Sequence, residues 1–224
     1  RRESQDVARC TVERLMQQLG LQGVLRGKKI ITTNPDTSLP CPDDKVNRKF
    51  TAEQPNQLWV SDFTYVPTWS GTVYVAFVID VFARRIVGWK ASMATQFVLD
   101  ALEQALWQRK VPENKRLTRH SDRGSQYLSI KYTERLADAE INLSVGTVGD
   151  AYDNALAECV IGLFKTEVIN QIGPWKSMRE VEWETLNWVD WYTNRRLLTP
   201  IGYVPPAEAE EAFYANLNTI NMVA

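Results

Sequence analysis

Asp62, Asp122 and Glu158 are the residues of this 224-residue chain whose types and settings suit chemistry on phosphate esters. A few carboxylates brought together from separate elements can hold two divalent cations, and two cations can activate one oxygen while stabilising another as it leaves. Asp62 sits inside Trp59-Val60-Ser61-Asp62-Phe63-Thr64-Tyr65, and Asp122 inside His120-Ser121-Asp122-Arg123-Gly124-Ser125-Gln126-Tyr127. Glu158 closes Asp153-Asn154-Ala155-Leu156-Ala157-Glu158. An Asp and a Glu at this separation arise by chance roughly once in such a chain, so the surrounding residues carry the signal.

The elements that must position these acids can be read from periodicity. Residues 57–67, 72–81 and 84–92 are rich in Val, Phe, Tyr and Trp and are joined by short links, which predicts an antiparallel meander. A helix over 95–109, a strand over 116–121, a helix over 129–139 and a strand over 141–145 follow. A loop at 146–153 precedes a long helix over 154–170 with Asp153 as its cap. Further helices are expected at 178–194 and, after Pro205-Pro206, at 206–217. The order predicts an α/β fold, a mixed sheet with helices packed on it.

Within that frame Leu58, Val60, Asp62 and Thr64 share one strand face, where a lone carboxylate is expensive unless paired or metal-bound. Asp122 follows a strand directly, at the kind of sheet end where open α/β folds place ligands; turn capping is the plainer reading of that residue taken alone. On the long helix, Asn154, Glu158, Gly162 and Lys165 form one stripe, away from the apolar face of Leu156, Val160, Leu163, Phe164 and Val168. The stripe fits two readings equally: a metal ligand beside a phosphate contact, or a solvated face with a tolerated glycine.

Charge is unevenly placed. Residues 1–50 carry ten Lys/Arg against six Asp/Glu, and the remainder carries sixteen against twenty-one. A basic arm containing Arg26, Lys28 and Lys29 thus precedes an acidic core; it suits a solvated linker or contact with phosphates. Residues 11–19 predict a short helix with Thr11 as cap and Gly20 as stop, either the last helix of a helix-turn-helix or a packing helix. The eight tryptophans are expected mainly in the core, with base stacking as the alternative. Cys10, Cys41 and Cys159 form no CxxC pair and are expected as reduced thiols. One histidine argues against a Ser-His-Asp hydrolase, and no apolar run is long enough to span a bilayer. No signal peptide is visible, which predicts a cytoplasmic protein, and the initial Arg1 suggests a piece of a longer one.

Taken together, the three motifs resemble the catalytic core of bacterial insertion-sequence transposases of the DDE type, relatives of retroviral integrase and products of the second reading frame of a two-frame element. Thirty-five residues separate Asp122 from Glu158, and Lys165 follows Glu158 by seven, as in that family's signature. Tyr192, Asn194 and Arg195, with Pro205-Pro206-Ala207-Glu208, resemble its C-terminal segment. The chain departs from the pattern in having Cys159 where serine is usual, Arg196-Leu197-Leu198 where a histidine is common, and no basic residue in Ser144-Val145-Gly146-Thr147-Val148-Gly149.

The resemblance implies a ribonuclease H-like fold with a five-stranded mixed sheet. It implies the end of a helix-turn-helix-like region at 1–27, a basic linker at 28–52, the catalytic core at 53–175 and a helical extension at 176–224. Two Mg²⁺ ions, replaceable by Mn²⁺, would be held by Asp62, Asp122 and Glu158 for nicking and strand transfer on DNA. Lys165 would contact DNA, with Asn154, Arg123 and Gln126 as further contacts and Arg26, Lys28 and Lys29 in the arm. A homo-multimer on paired DNA ends, in the bacterial nucleoid and without a membrane partner, is implied as well. A ribonuclease H-like nuclease or resolvase, and a domesticated DNA-binding protein, are the alternatives.

Overall fold

The computed structural model describes residues 7–24, 46, 50–110, 117–121, 127, 130–145 and 154–223. The chain divides into two compact units, Arg1–Ile30 and Ile31–Ala224. In the first, helix α1 (Arg9–Gln18) starts two residues before the expected cap. Ala8 is the N-cap, and Thr11 lies in the first turn with its N–H donating to the Ala8 carbonyl. Gly20, at φ +66°, ends the helix as its freedom from Cβ strain allows. Val12, Leu15 and Met16 are all exposed.

The second unit holds a five-stranded sheet in the order β3-β2-β1-β4-β5. β1 (Leu58–Thr68), β2 (Gly71–Asp80) and β3 (Arg85–Ser92) form the expected meander. Two parallel strands, β4 (Thr118–Ser121) and β5 (Asn142–Val145), extend the other side of β1. β1 is therefore the central strand, paired over Trp59–Thr68 on one side and over Leu58–Ser61 on the other.

Alternation along β1 splits the core into two layers. Trp59, with Ala76 and Val78 of β2, packs against α2 (Phe97–Arg109) and α3 (Ile130–Asp138). Val60 and Val66, with Phe77, pack against α4 (Ala155–Phe164) and α6 (Met178–Asn194). Gly88 of β3 is a packing requirement: a Cβ there would lie 2.2 Å from the Ala101 carbonyl oxygen, so only glycine lets α2 approach so closely.

The long helix departs from expectation at both ends: its N-cap is Asn154 rather than Asp153, because Ala155 is the first helical residue, and its last turns are irregular. After Phe164 it widens into a π-helical turn, Lys165–Ile169, before the short α5 (Asn170–Ile172). The buried Thr166 hydroxyl donates to the Gly162 carbonyl at 2.7 Å, a back-bond of the kind that bends helices. A 3₁₀ turn (Thr199–Ile201) then leads to α7 (Pro206–Val223), which runs six residues past its expected end. Only part of the aromatic stripe on α6 is core: Trp188 and Tyr192 are buried, whereas Trp183 and Trp191 are exposed. Among the described residues no helix is long and apolar enough to cross a membrane.

Candidate functional site

Asp62 stands where β1 loses its parallel partner. Ser61, which precedes Asp62, is the last residue of β1 to pair with β4, and its partner is Ser121, which precedes Asp122 in the chain. Asp62 is half-buried, and its Oδ1 accepts from the Phe63 N–H at 2.7 Å. By alternation it belongs to the face of Val60, the face covered by α4.

The start of α4 is fixed to this point by Asn154. That residue occupies the N-cap, but its side chain makes no cap hydrogen bond. Instead Nδ2 donates to the Ser61 carbonyl at 2.9 Å, and the residue is 4% exposed. Glu158 lies one turn further on, its N–H donating to the Asn154 carbonyl at 3.0 Å, with its side chain exposed. Leu156, Ala157, Val160 and Phe164 bury the opposite side of the helix in the core. The amphipathic pattern of α4 and one side-chain hydrogen bond thus seat the start of the helix against β1 and leave Glu158 on its exposed side.

Lys165 is exposed at the first residue of the π-helical turn. It is two helical turns, about 10.5 Å of rise, beyond Glu158. It lines a groove with Tyr65 and Thr68 of β1, so the helix runs along β1 in the strand's own direction. Asp122, Arg123 and Gln126 lie outside the described residues, as do Arg26, Lys28, Lys29 and Asp153.

Sequence reasoning missed Arg119. It is fully buried in β4, on the layer opposite α4. Its Nε donates to Ser61 Oγ at 3.3 Å and its Nη1 to Ser121 Oγ at 3.0 Å. The guanidinium carbon lies 4.3 Å from the Tyr127 ring centroid and 4.7 Å from that of Tyr132. Burial pushes the Tyr132 phenol up to about 12 against the pull of Arg119, so the ring stays neutral. Among the described residues no carboxylate pairs with Arg119. A buried cation held by hydroxyls and π faces is costly to desolvate, which marks this one as a specific structural device. It ties together the two serines that precede Asp62 and Asp122. Strand alternation alone places Arg119 on one face with Leu117 and Ser121, and that was the available signal.

Asp62 and Glu158 offer hard oxygen donors, one held by a central strand and one at the start of a helix, and this donor chemistry fits a hard divalent cation. Among the described residues no three His, Cys, Asp or Glu side chains form a complete ligand group. Among the described residues the buried Asn154 Oδ1 has no hydrogen-bond partner, at the junction of β1 and α4.

Residues 52–151 match the integrase core domain family, and residues 139–206 match a second integrase core domain family. The chain is 57% identical over 225 residues to the transposase for insertion sequence element IS629 of Shigella sonnei, covering 100% of this chain and 74% of that protein. It is 55% identical over 219 residues to a relative from Mycobacterium tuberculosis (strain ATCC 25177 / H37Ra) named for insertion sequence element IS986/IS6110, covering 96% of this chain and 79% of that one. In fold it resembles the HTLV-2 integrase catalytic core domain, solved in complex with magnesium in a trimeric form. That likeness has a TM-score of 0.53 at 16% identity and covers 70% of this chain and 98% of that one.

Proposed function

Because the chain belongs to the integrase-core transposases of insertion sequences, we propose that it nicks DNA at the ends of such an element and joins the freed 3′-hydroxyl to a new phosphodiester. The observation that carries this reading is the Asn154–Ser61 hydrogen bond, which seats the first turn of α4 beside the strand of Asp62. Asp62, Asp122 and Glu158 are the residues that would hold two Mg²⁺ ions, with Mn²⁺ as a substitute. When bound, such ions supply the positive charge that activates a water or a 3′-hydroxyl and stabilises the departing 3′ oxygen.

The protein's own part is placement. Asp62 comes from the most constrained strand of the sheet, whereas Glu158 reaches from an exposed helical position and can adjust. Lys165 holds a DNA phosphate two turns along the same helix. Asn154 acts as a positioning residue, since its amide nitrogen is already committed to Ser61. Arg119 acts in the same way from beneath, through Ser61 and Ser121. Arg123 and Gln126 supply further contacts near the reacting phosphate, and Arg26, Lys28 and Lys29 track the backbone of more distant DNA. The expected sequence regions at 1–27, 28–52, 53–175 and 176–224 would then serve end recognition, linkage, catalysis and support. The working form would be a homo-multimer on paired ends, acting on DNA in the bacterial nucleoid.

The test is cleavage and strand transfer on labelled DNA bearing the element's end, with Mg²⁺ or Mn²⁺, comparing the chain with Glu158→Gln and Asp62→Asn. The expected result is metal-dependent nicking and joining that vanish in both variants while folding and DNA binding persist. Nicking without joining would make the protein a nuclease of the same fold. Full cleavage by either variant would remove that residue from the metal site.

A further inference from the structure

At the far end of the β1–α4 seam lies a groove of about 460 Å³ between the β1–β2 hairpin tip and the π-helical turn. Its walls include Tyr65, Trp69, Lys165, Asn170 and Trp175, and among the described residues none that lines it is acidic. The Trp69 indole is 74% exposed, so it adds little to the core. Its backbone, by contrast, is pinned. The Trp69 N–H donates to the Trp175 carbonyl at 3.0 Å, and the Thr68 hydroxyl closes the turn on the Gly71 carbonyl at 2.7 Å. Trp175 is itself fixed, its Nε1 donating to the Ile169 carbonyl at 3.2 Å. An aromatic face is thus presented on a rigid support beside a cation.

We propose that this groove binds one unstacked nucleotide of the DNA substrate, with Trp69 as the stacking face and Lys165 holding the adjoining phosphate. The proposal rests on the DNA-processing reading above and adds a subsite to it. Base stacking on an exposed aromatic beside a basic residue is how proteins hold unpaired strands without reading their sequence. The volume is in the range of small-molecule pockets, about 300–1,000 Å³, which suits a single nucleotide and excludes a duplex. The adjoining groove, which shares Pro174 and Trp175, makes the contrast: it carries Glu180 and Glu184 against one cation, Arg179, and so is less suited to phosphate.

The experiment uses the full chain with two mixed-sequence DNAs, a blunt duplex and the same duplex with a single-stranded overhang. 5-Iodouracil is placed at one overhang position at a time, and photocrosslinked residues are mapped. The expected result is one position crosslinking to Trp69, lost in Trp69→Ala together with an affinity for overhang DNA about 5- to 150-fold weaker. Blunt-duplex binding and the melting temperature stay unchanged, and Trp69→Phe recovers most of the loss. If Trp69→Ala binds overhang DNA as tightly as the unchanged chain, the groove proposal falls and the DNA reading stands. Equal weakening for both DNAs would also overturn the unstacked-nucleotide site. If the unchanged chain binds neither DNA, both readings fall together.

Discussion

Asp62 and Glu158 are held under opposite constraints. Asp62 is half-buried on a strand paired on both sides up to its neighbour Ser61, whereas Glu158 is exposed on a helix. Both residues, and Lys165, were legible as candidates because their sequence settings are distinctive. Arg119 was not, because its significance lies in what surrounds it: two serines and two tyrosine faces drawn from four separate segments. The residue-scale test concerns Lys165. If it holds a phosphate, Lys165→Ala is expected to weaken DNA binding and to reduce the slope of log affinity against log salt by about 1. Filter binding across a salt series measures this, and an unchanged slope with unchanged affinity would exclude the contact.

At the scale of elements, the junction of β1 with α4 is tested through the Asn154–Ser61 hydrogen bond, which joins them at the site. Asn154→Ala would leave the Ser61 carbonyl without that donor in a buried place. The expected loss of stability is about 1–3 kcal/mol, measured by chemical denaturation. Nicking should slow at saturating DNA with little change in the DNA concentration for half-maximal rate, because Glu158 is displaced while the DNA-contacting surface remains. A rate equal to that of the unchanged chain would show that α4 is held by its apolar face alone. That face was readable from the periodicity of Leu156, Val160, Phe164 and Val168, all of which are buried. The π-helical turn after it was not readable, since its backbone bonds, such as the Asn170 N–H to the Lys165 carbonyl, follow no side-chain periodicity.

At the scale of the whole molecule, α7 is tied back to the sheet through charge. Glu210 is buried and receives Arg85 and Arg109, and Arg109 also donates to Asp80 at 3.1 Å. Burial raises the Asp80 carboxyl above its ordinary 3.8, although the Asn56 and Phe82 N–H groups and Arg109 pull the other way. The sign of the pH effect follows. Below 3.8 the group is protonated in both folded and unfolded chains; above it the unfolded chain ionises first, so this contribution to stability declines as pH rises through the folded value. Asp80→Asn cannot titrate there. The stability of the unchanged chain relative to Asp80→Asn is therefore expected to fall as pH rises from 3.8, read from denaturation midpoints at successive pH values. A difference that holds constant or grows would contradict the assignment.

Local pattern determined much of this protein. Alternation and helical spacing specified the strands, the helices and their apolar faces, because these depend on neighbours a few residues apart. Motif context singled out the acids. Only the tertiary structure decided that β1 is the central strand, since pairing with β4 joins residues 60 positions apart, Ser61 and Ser121. It alone committed Asn154 to Ser61, buried Arg119 without a carboxylate among the described residues, and set Trp69 across a groove from Lys165. Those arrangements depend on which distant backbone and side-chain groups meet once the sheet has closed, and no spacing along a single segment records that meeting.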